Sequence, residues 1–401
     1  MTSPHFEVIR DPLWDNIRLE PAAAAAMDTE AVQRLRYVRQ LGHAFLVYPG
    51  ATHTRFEHAL GAYHLTTRAL ATLRDRGDLD EVEDRQVLAV RLAALLHDIG
   101  HYPFSHALEE AGFPNHEEMG VARLGSGELG ALLRSLGGDA LIQEIGTLIT
   151  GSSGSPLAGL ISGSIDLDKI DYLSRDARMC GVPYGTVDVD RLLASICVVD
   201  GSIGVHEKGV SALESLLFAK YQMYRNVYWH HAVRSATCMF KRAVRTAVAD
   251  GALDPRMIAD ATDGTLMAAL VAADRTGTAE RIEKRRLYKR ALDMPATEVP
   301  DLPEWIWDDP ERLETAEDAI ASDLGLRPGQ VLVDFPARSS MLGVDLPLLT
   351  RSGTVERLTD AGRAGQLGLP RIAEELYASA RRLRIFTAEP TTMSAIPEGL
   401  R

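Results

Sequence analysis

Between Leu95 and His106 the chain reads LLHDIGHYPFSH, three histidines and an aspartate directly behind an apolar run. Burying polar groups without partners costs free energy, so something must satisfy them. Seven of the twelve histidines lie between residues 53 and 116, denser than core filling requires. Three stretches gather the groups that could do chemistry. THTRFEHALGAYH places His58 at a helix start. His97-Asp98 is followed one turn on by His101, with His106 beyond the break at Pro103. SIDLDKIDYLSRD, at 164–176, supplies carboxylates. On a helix Asp168, Tyr172 and Asp176 form one stripe, and Asp171 and Arg175 make an acid-to-base pair at i, i+4. Two imidazoles and two carboxylates from three separate helices are a mixed nitrogen and oxygen ligand set. It suits Mn, Fe, Zn or Ni better than Ca and leaves positions open for water and substrate. Such an open site makes a nucleophile from bound water at neutral pH, and nearby carboxylates can fix the second imidazole nitrogens. His53 and His64 read as surface or supporting residues. A lone His-Asp dipeptide would be structural; the combination points to a site.

Most of the chain that must position these groups reads as helix. AVRLAALLHDI, at 89–99, is apolar on nearly every side and predicts a buried helix. DTEAVQRLRYVRQL, at 28–41, predicts a helix with Asp28 as N-cap. The stretch 212–250 predicts two long helices or one bent one. SICVVDGSIGVHEKG, at 195–209, predicts a hairpin turning at Asp200-Gly201. VLVDFP at 331–336, DLPLLT at 345–350 and RLRIFTAE at 382–389 predict short strands. GSSGSPLAGLISGS, at 151–164, reads as a loop with one short helical turn. The Pro- and Asp-rich stretch near 294–310 separates a helical body, 1–293, from a smaller C-terminal α+β lobe, 294–401. The fold class expected is therefore mainly α, with a small β-hairpin and that lobe.

Bulk properties narrow the function classes. The 401 residues are 46% hydrophobic and 25% charged, an ordinary globular balance. The net charge of −13 disfavours nucleic acid as a partner, which needs a broad cationic face. RLRYVR, KRRLYKR and ARRLR, at 34–39, 284–290 and 380–384, read as solvated helix faces. PAAAAAM at 21–27 is too short to span a bilayer, no signal peptide is recognised, and Cys180, Cys197 and Cys238 read as reduced thiols. The expectation is a cytoplasmic protein without a membrane partner.

RFEH at 55–58, HDIGHYPFSH at 97–106 and DLDKIDYLSRD at 166–176 resemble the signatures of the HD-domain superfamily. More narrowly, the chain resembles the deoxynucleoside triphosphate triphosphohydrolases, a group that includes bacterial dGTPase-like enzymes and the animal SAM-and-HD-domain protein. RLRYVRQLGHAFLVYPGATHTRFEHALG and KYQMYRNVYWHH, at 34–61 and 220–231, follow the same pattern. The resemblance covers about residues 6–240, is weak over the C-terminal third, and starts without a SAM domain. It implies an HD-domain helical body that hydrolyses dNTPs to deoxynucleoside and inorganic triphosphate. The metal ligands implied are His58, His97, Asp98 and Asp168, holding one divalent transition metal, alone or with Mg. Arg55 and Lys169 fall where the family grips the triphosphate. His101, His106 and His116 match histidines lining the phosphates, one of which protonates the departing ribose oxygen. Gln40 and Leu41 match residues beside the deoxyribose, Tyr172 and Asp176 those near the 3′-hydroxyl, and Tyr228 an aromatic under the sugar. Glu109 stands where many relatives have Asp. Asp28, Gln33, Arg36, Arg191 and Lys208 match part of a regulatory nucleotide site. Glu7, His206 and Trp14-Asp15-Asn16 replace a lysine, an arginine and a His-containing turn there. Since an acid repels a triphosphate, the quaternary expectation ranges from monomer to low-order homo-oligomer. Two other readings stand beside this one. One is an HD phosphohydrolase acting on a dNMP or a signalling nucleotide. The other is a non-catalytic relative that senses nucleotides or binds nucleic acid.

Overall fold

Two N-terminal strands, β1 (Glu7–Asp11) and β2 (Asp15–Leu19), pair antiparallel with Asp11 opposite Asp15. Asp15 takes φ 61° at the turn, a left-handed conformation that Asp tolerates better than most residues. This computed structural model describes residues 6–336, 346–358 and 369–400. The alanine run forms a short buried helix, α1 (Pro21–Met27), opened by Pro21, whose fixed φ suits a first turn. The long helix expected at 28–41 is not formed. Asp28 closes α1, Thr29 precedes a four-residue α2 (Glu30–Gln33), and a 3-10 turn ends at Tyr37. Tertiary bonds override the periodicity: Arg34 donates to the carbonyls of His101 and Ala261, and Arg39 pairs with Thr54 as an isolated bridge.

The body that follows is helical. A capping box of Thr54 and Glu57 starts α3 (Arg55–Asp75), which places Arg55 and His58 in its first turns. Helix α4 (Asp84–Leu96) is buried along most of its length and stops at Leu96, so His97-Asp98 lies in the turn after the helix. His101 therefore belongs to that turn and not to a helical i+4 face. Gly100 is required where it stands: a Cβ would lie 2.0 Å from the His116 carbonyl oxygen. Helix α6 (Gly127–Ile149) packs on α4, and α5 (His116–Leu124) packs on α6. After a loop with one 3-10 turn, Asp166 caps α7 (Leu167–Cys180) by accepting from the Lys169 amide.

Beyond α8 (Val189–Leu193), strands β3 (Ile196–Val199) and β4 (Ser202–His206) form the expected hairpin. Asp200 and Gly201 both have positive φ, 51° and 69°, as the tight two-residue turn demands. The long helical pattern resolves into α9 (Val210–Met223), a π-helical turn (Tyr224–Tyr228) and α10 (His231–Ala249). Three shorter helices, α11 (Pro255–Asp260), α12 (Asp263–Ala273) and α13 (Thr278–Glu283), lead to β5 (Lys289–Pro295). The remainder forms α14 (Trp305–Asp308), α15 (Pro310–Asp323), β6 (Val331–Asp334), β7 (Pro347–Leu349), β8 (Val355–Arg357), α16 (Leu369–Ala380) and β9 (Arg382–Thr387). Strands β5, β9 and β6 make one sheet, whereas β7 and β8 extend the body's hairpin in the order β3-β4-β7-β8. Residues 337–344 and Asp345, the latter counted in the expected strand at 345–350, lie outside the described residues.

Two basic stretches are not solvated faces. Arg34 is largely buried on carbonyls, and Arg381 and Arg384 are 4% exposed. Arg384 faces Asp293 and Asp334, which keep its charge compensated. All three cysteines are free thiols, and burial pushes Cys180 up to about 12 and Cys197 to about 11. Among the described residues no helix is long and apolar enough to cross a membrane.

Candidate active site and metal centre

The first turn of α3, the turn after α4 and the first turn of α7 bring three ligating groups together. His58 Nε2 lies 2.7 Å from Asp168 Oδ1 and 3.3 Å from His97 Nε2. Asp168 Oδ1 is 3.4 Å from His97 Nε2. Asp98 closes the group, with Oδ1 3.3 Å from His97 Nε2 and Oδ2 3.8 Å from His58 Nε2.

Hydrogen bonding on the far side of each ring sets what these nitrogens can do. His58 Nδ1 donates to Asp171 Oδ2 at 2.8 Å, and His97 Nδ1 to the Ala94 carbonyl at 2.9 Å. Each ring thus presents an Nε2 lone pair to the other and to two carboxylates, an arrangement that needs a positive charge at its centre. Either a proton or a metal ion meets that need. Burial opposes protonation of His58, but its bonds to Asp168 and Asp171 raise it to about 10. A divalent ion held by His58, His97, Asp98 and Asp168 fits the same donors. Burial also works against a charged Asp98, yet Arg55 above all, then His97 and His101, hold it well below the usual carboxylate range.

Arg55 is buried and commits Nη1 to Asp98 Oδ2 at 2.6 Å and Nε to Ser105 Oγ at 3.2 Å. Phe104 and Ser105 both have positive φ, 60° and 61°, a strained conformation that the surroundings must impose. The Phe104 amide donates to Asp263, and Ser105 Oγ donates to the carbonyls of Arg39 and Gln40.

A second group holds His101, His106, Glu109 and His116, whose ligand atoms lie within 4.8 Å of one another. Glu109 Oε1 accepts from His116 Nδ1 at 2.9 Å and His106 Nδ1 at 3.2 Å. Burial opposes its charge, but these bonds keep it well below the usual carboxylate range. The His101 and His116 rings stack 3.7 Å apart and 14° from parallel. Imidazole lone pairs lie in the ring plane, so stacked rings cannot both aim at one ion. Burial, then Arg55 and His116, push His101 well below its ordinary value, so it stays neutral.

Gln40, Leu41, Arg55, His97, Asp98, His101, His106, His116, Asp168, Lys169, Tyr172, Asp176 and Tyr228 all line one cavity of about 590 Å³. That size suits a small-molecule site. His58 alone of the expected ligands and contacts is not on its wall, being 1% exposed behind Asp168. Lys169 Nζ bonds the Gly163 carbonyl and Asp166. Asp176 accepts from His53 Nε2 and from the Tyr228 hydroxyl, each at 2.7 Å. His53, expected to be a surface or supporting residue, is buried at 3% exposure and supports Asp176. His64 is half-buried beside Trp14. Four of the five expected regulatory residues form two pairs. Arg36 lies over Phe56 and donates to Gln33, which bonds the Met27 carbonyl near Asp28, and Arg191 donates to the Lys208 carbonyl.

Sequence reading missed the layer behind His58. Arg175 Nε and Nη2 bond both oxygens of Asp171 at 2.9 Å, and Nη1 reaches Asp11 Oδ2 at 2.8 Å. The i, i+4 spacing marked the Asp171–Arg175 pair, but nothing local marked Asp11 or Trp14. Gly61 makes room for this layer: a Cβ there would lie 1.8 Å from Asp171 Oδ1 and 2.5 Å from Arg175 Nη2. Gly61→Ala should therefore cost about 1–3 kcal/mol of stability and displace Asp171 from His58. Denaturant unfolding checks this, and an unchanged midpoint would count against the packing described. Lys220, also missed, stands near Lys169, Asp166 and Asp168; burial, then Lys169, lower it to about 8.

Two family models match this chain. A model described as HD domain matches residues 55–176, and one described as HD associated region matches 187–363. An uncharacterized protein of Methanocaldococcus jannaschii is 36% identical over 307 residues, 75% of this chain and 63% of that protein. The deoxynucleoside triphosphate triphosphohydrolase SAMHD1 of Homo sapiens is 30% identical over 268 residues, 56% of this chain and 42% of that protein. The chain spans 63%, 53% and 45% of the lengths of three curated relatives. Among solved structures, a hypothetical protein from Aquifex aeolicus matches with a TM-score of 0.74 and 26% identity, over 96% of this chain and 97% of that one. A phosphohydrolase from Bacteroides thetaiotaomicron, 21% identical, shares the fold at a TM-score of 0.71, over 96% of this chain and 100% of that one. These matches reach into the C-terminal third, where the sequence resemblance was weak.

Proposed function

The chain belongs to the HD-domain superfamily, and from that premise we propose that it is a metal-dependent phosphohydrolase acting on dNTPs. The reaction adds water at the α-phosphorus and breaks its bond to O5′, releasing a deoxynucleoside and inorganic triphosphate. The single observation that supports the reading is one cavity whose wall carries His97, Asp98 and Asp168 beside two cations, Arg55 and Lys169, and two aromatics, Tyr172 and Tyr228.

His58, His97, Asp98 and Asp168 would hold the divalent transition metal, Mn, Fe, Zn or Ni, which would supply Lewis acidity when bound. Lys169 and Arg55 offset the triphosphate charge, Arg55 also anchoring Asp98. Within the histidine cluster, Glu109 orients His106 and His116 so that an imidazolium can give its proton to O5′ as general acid. His101, kept neutral, hydrogen-bonds Asp98 and backs His116. Asp176, held on two sides by His53 and Tyr228, accepts from the sugar 3′-hydroxyl, while Gln40, Leu41 and Tyr172 close round the deoxyribose. A wall close to C2′ rejects ribonucleotides by clash. The division into a body, 1–293, and a lobe, 294–401, a cytoplasmic location and a regulatory nucleotide at the Arg36 and Arg191 pairs belong to the same proposal.

The assay incubates purified protein with Mn²⁺ and each dNTP in turn. The expected products are free deoxynucleoside and triphosphate. Diphosphate with a monophosphate would place the cleavage at another bond, and turnover of a dNMP or signalling nucleotide alone would favour a different substrate for the same metal site.

A further inference from the structure

Behind His58 two carboxylates share one guanidinium. Arg175 bonds Asp11 and Asp171, and all three side chains are buried. Asp171 has two further partners, His58 Nδ1 at 2.8 Å and the Trp14 indole Nε1 at 2.5 Å. Asp11 in turn shapes the tip that carries Trp14, since its Oδ1 accepts from the amides of Leu13 and Trp14, each at 2.8 Å. The turn between β1 and β2 is thus tied through both carboxylates to the imidazole that faces the metal site.

We propose that Trp14 is a positioning residue for that site: docking of the N-terminal hairpin and metal binding at His58 are coupled through the Asp171 carboxylate. The proposal rests on the metal reading above. Trp14 and Arg175 fix the plane of the Asp171 carboxylate so that Oδ2 meets the His58 Nδ1–H, which leaves Nε2 free to ligate. An ion in front of His58 polarises that N–H and strengthens its bond to Asp171. The surplus carboxylate behind the ring offsets part of the ion's charge across the imidazole. By linkage, whatever affinity the docked hairpin adds for the metal, the metal adds to docking of the hairpin. The indole body is held separately, stacked on His64 with ring centroids 6.1 Å apart, so Trp14→Phe removes the donor and keeps the packing.

The test titrates Mn²⁺ alone into the unmodified protein and Trp14→Phe by calorimetry. Trp14→Phe should bind Mn²⁺ about 10-fold more weakly, the lower end of what loss of an outer partner costs, while still unfolding cooperatively without metal, at a midpoint lowered by the lost hydrogen bond. A purely structural role would move the midpoint and leave the affinity alone. Amide exchange over residues 7–19 of the unmodified protein should slow when Mn²⁺ is added. If Trp14→Phe does not fold, that exchange decides: slowing supports the coupling and no change overturns it. Equal Mn²⁺ affinity of the two proteins overturns the coupling and leaves the metal site standing. No Mn²⁺ binding by the unmodified protein overturns both.

Discussion

Asp168→Ala should lower turnover by about 10³-fold or more, well beyond the 10- to 100-fold that loss of an outer partner of a metal ligand costs. Its carboxylate faces both Nε2 atoms, 2.7 Å from that of His58 and 3.4 Å from that of His97. Without it the two nitrogens face each other at 3.3 Å with Asp98 alone to complete the set, and bound metal should be lost in parallel. Folding should be spared. The cap of α7 comes from Asp166 and not from Asp168, so the variant should still fold and unfold cooperatively. Metal content, steady-state rate and thermal unfolding on one preparation check all three. Normal dNTP hydrolysis by Asp168→Ala would remove this residue from the ligand set.

Arg175→Met should have the largest effect on stability. The guanidinium is fully buried between Asp11 and Asp171, and its removal leaves two buried carboxylates facing each other. Breaking a buried pair in this way costs about 3–5 kcal/mol, because the partner's charge stays without compensation. Adding Asp11→Asn to Arg175→Met should recover part of the loss. Denaturant unfolding in the presence of a chelator checks both variants. A loss below about 1 kcal/mol would mean that water or a proton already compensates the pair.

The elements that carry the chemistry were legible because their signals are local. The stripe of Asp168, Tyr172 and Asp176 needs only helical spacing, and α7 runs from Leu167 to Cys180. Asp200-Gly201 announces its turn by residue type alone, and the short apolar runs of the C-terminal third form strands, β6 and β9 being buried along nearly their whole length. The failures have one physical cause, tertiary hydrogen bonds between residues far apart in sequence. The helix expected at 28–41 gives way because Arg34 is drawn to the carbonyls of His101 and Ala261. His53 finds Asp176, and Trp14 finds Asp171, across separations of 123 and 157 residues, which no window of sequence contains. The strained Phe104-Ser105 pair carries no glycine to mark it, since Asp263, Arg39 and Gln40 hold it from outside.

The central claim is that imidazoles and carboxylates from the starts of α3 and α7 and from the turn after α4 hold one ion beside a cavity of about 590 Å³. Anomalous scattering from crystals soaked in Mn²⁺ tests it most directly. The expected map has one peak bounded by His58, His97, Asp98 and Asp168, with metal–nitrogen and metal–oxygen distances of about 2.0–2.2 Å. No peak is expected among the stacked His101 and His116, His106 and Glu109. A map without density at the first group, or with the ion seated in the second, would contradict the account.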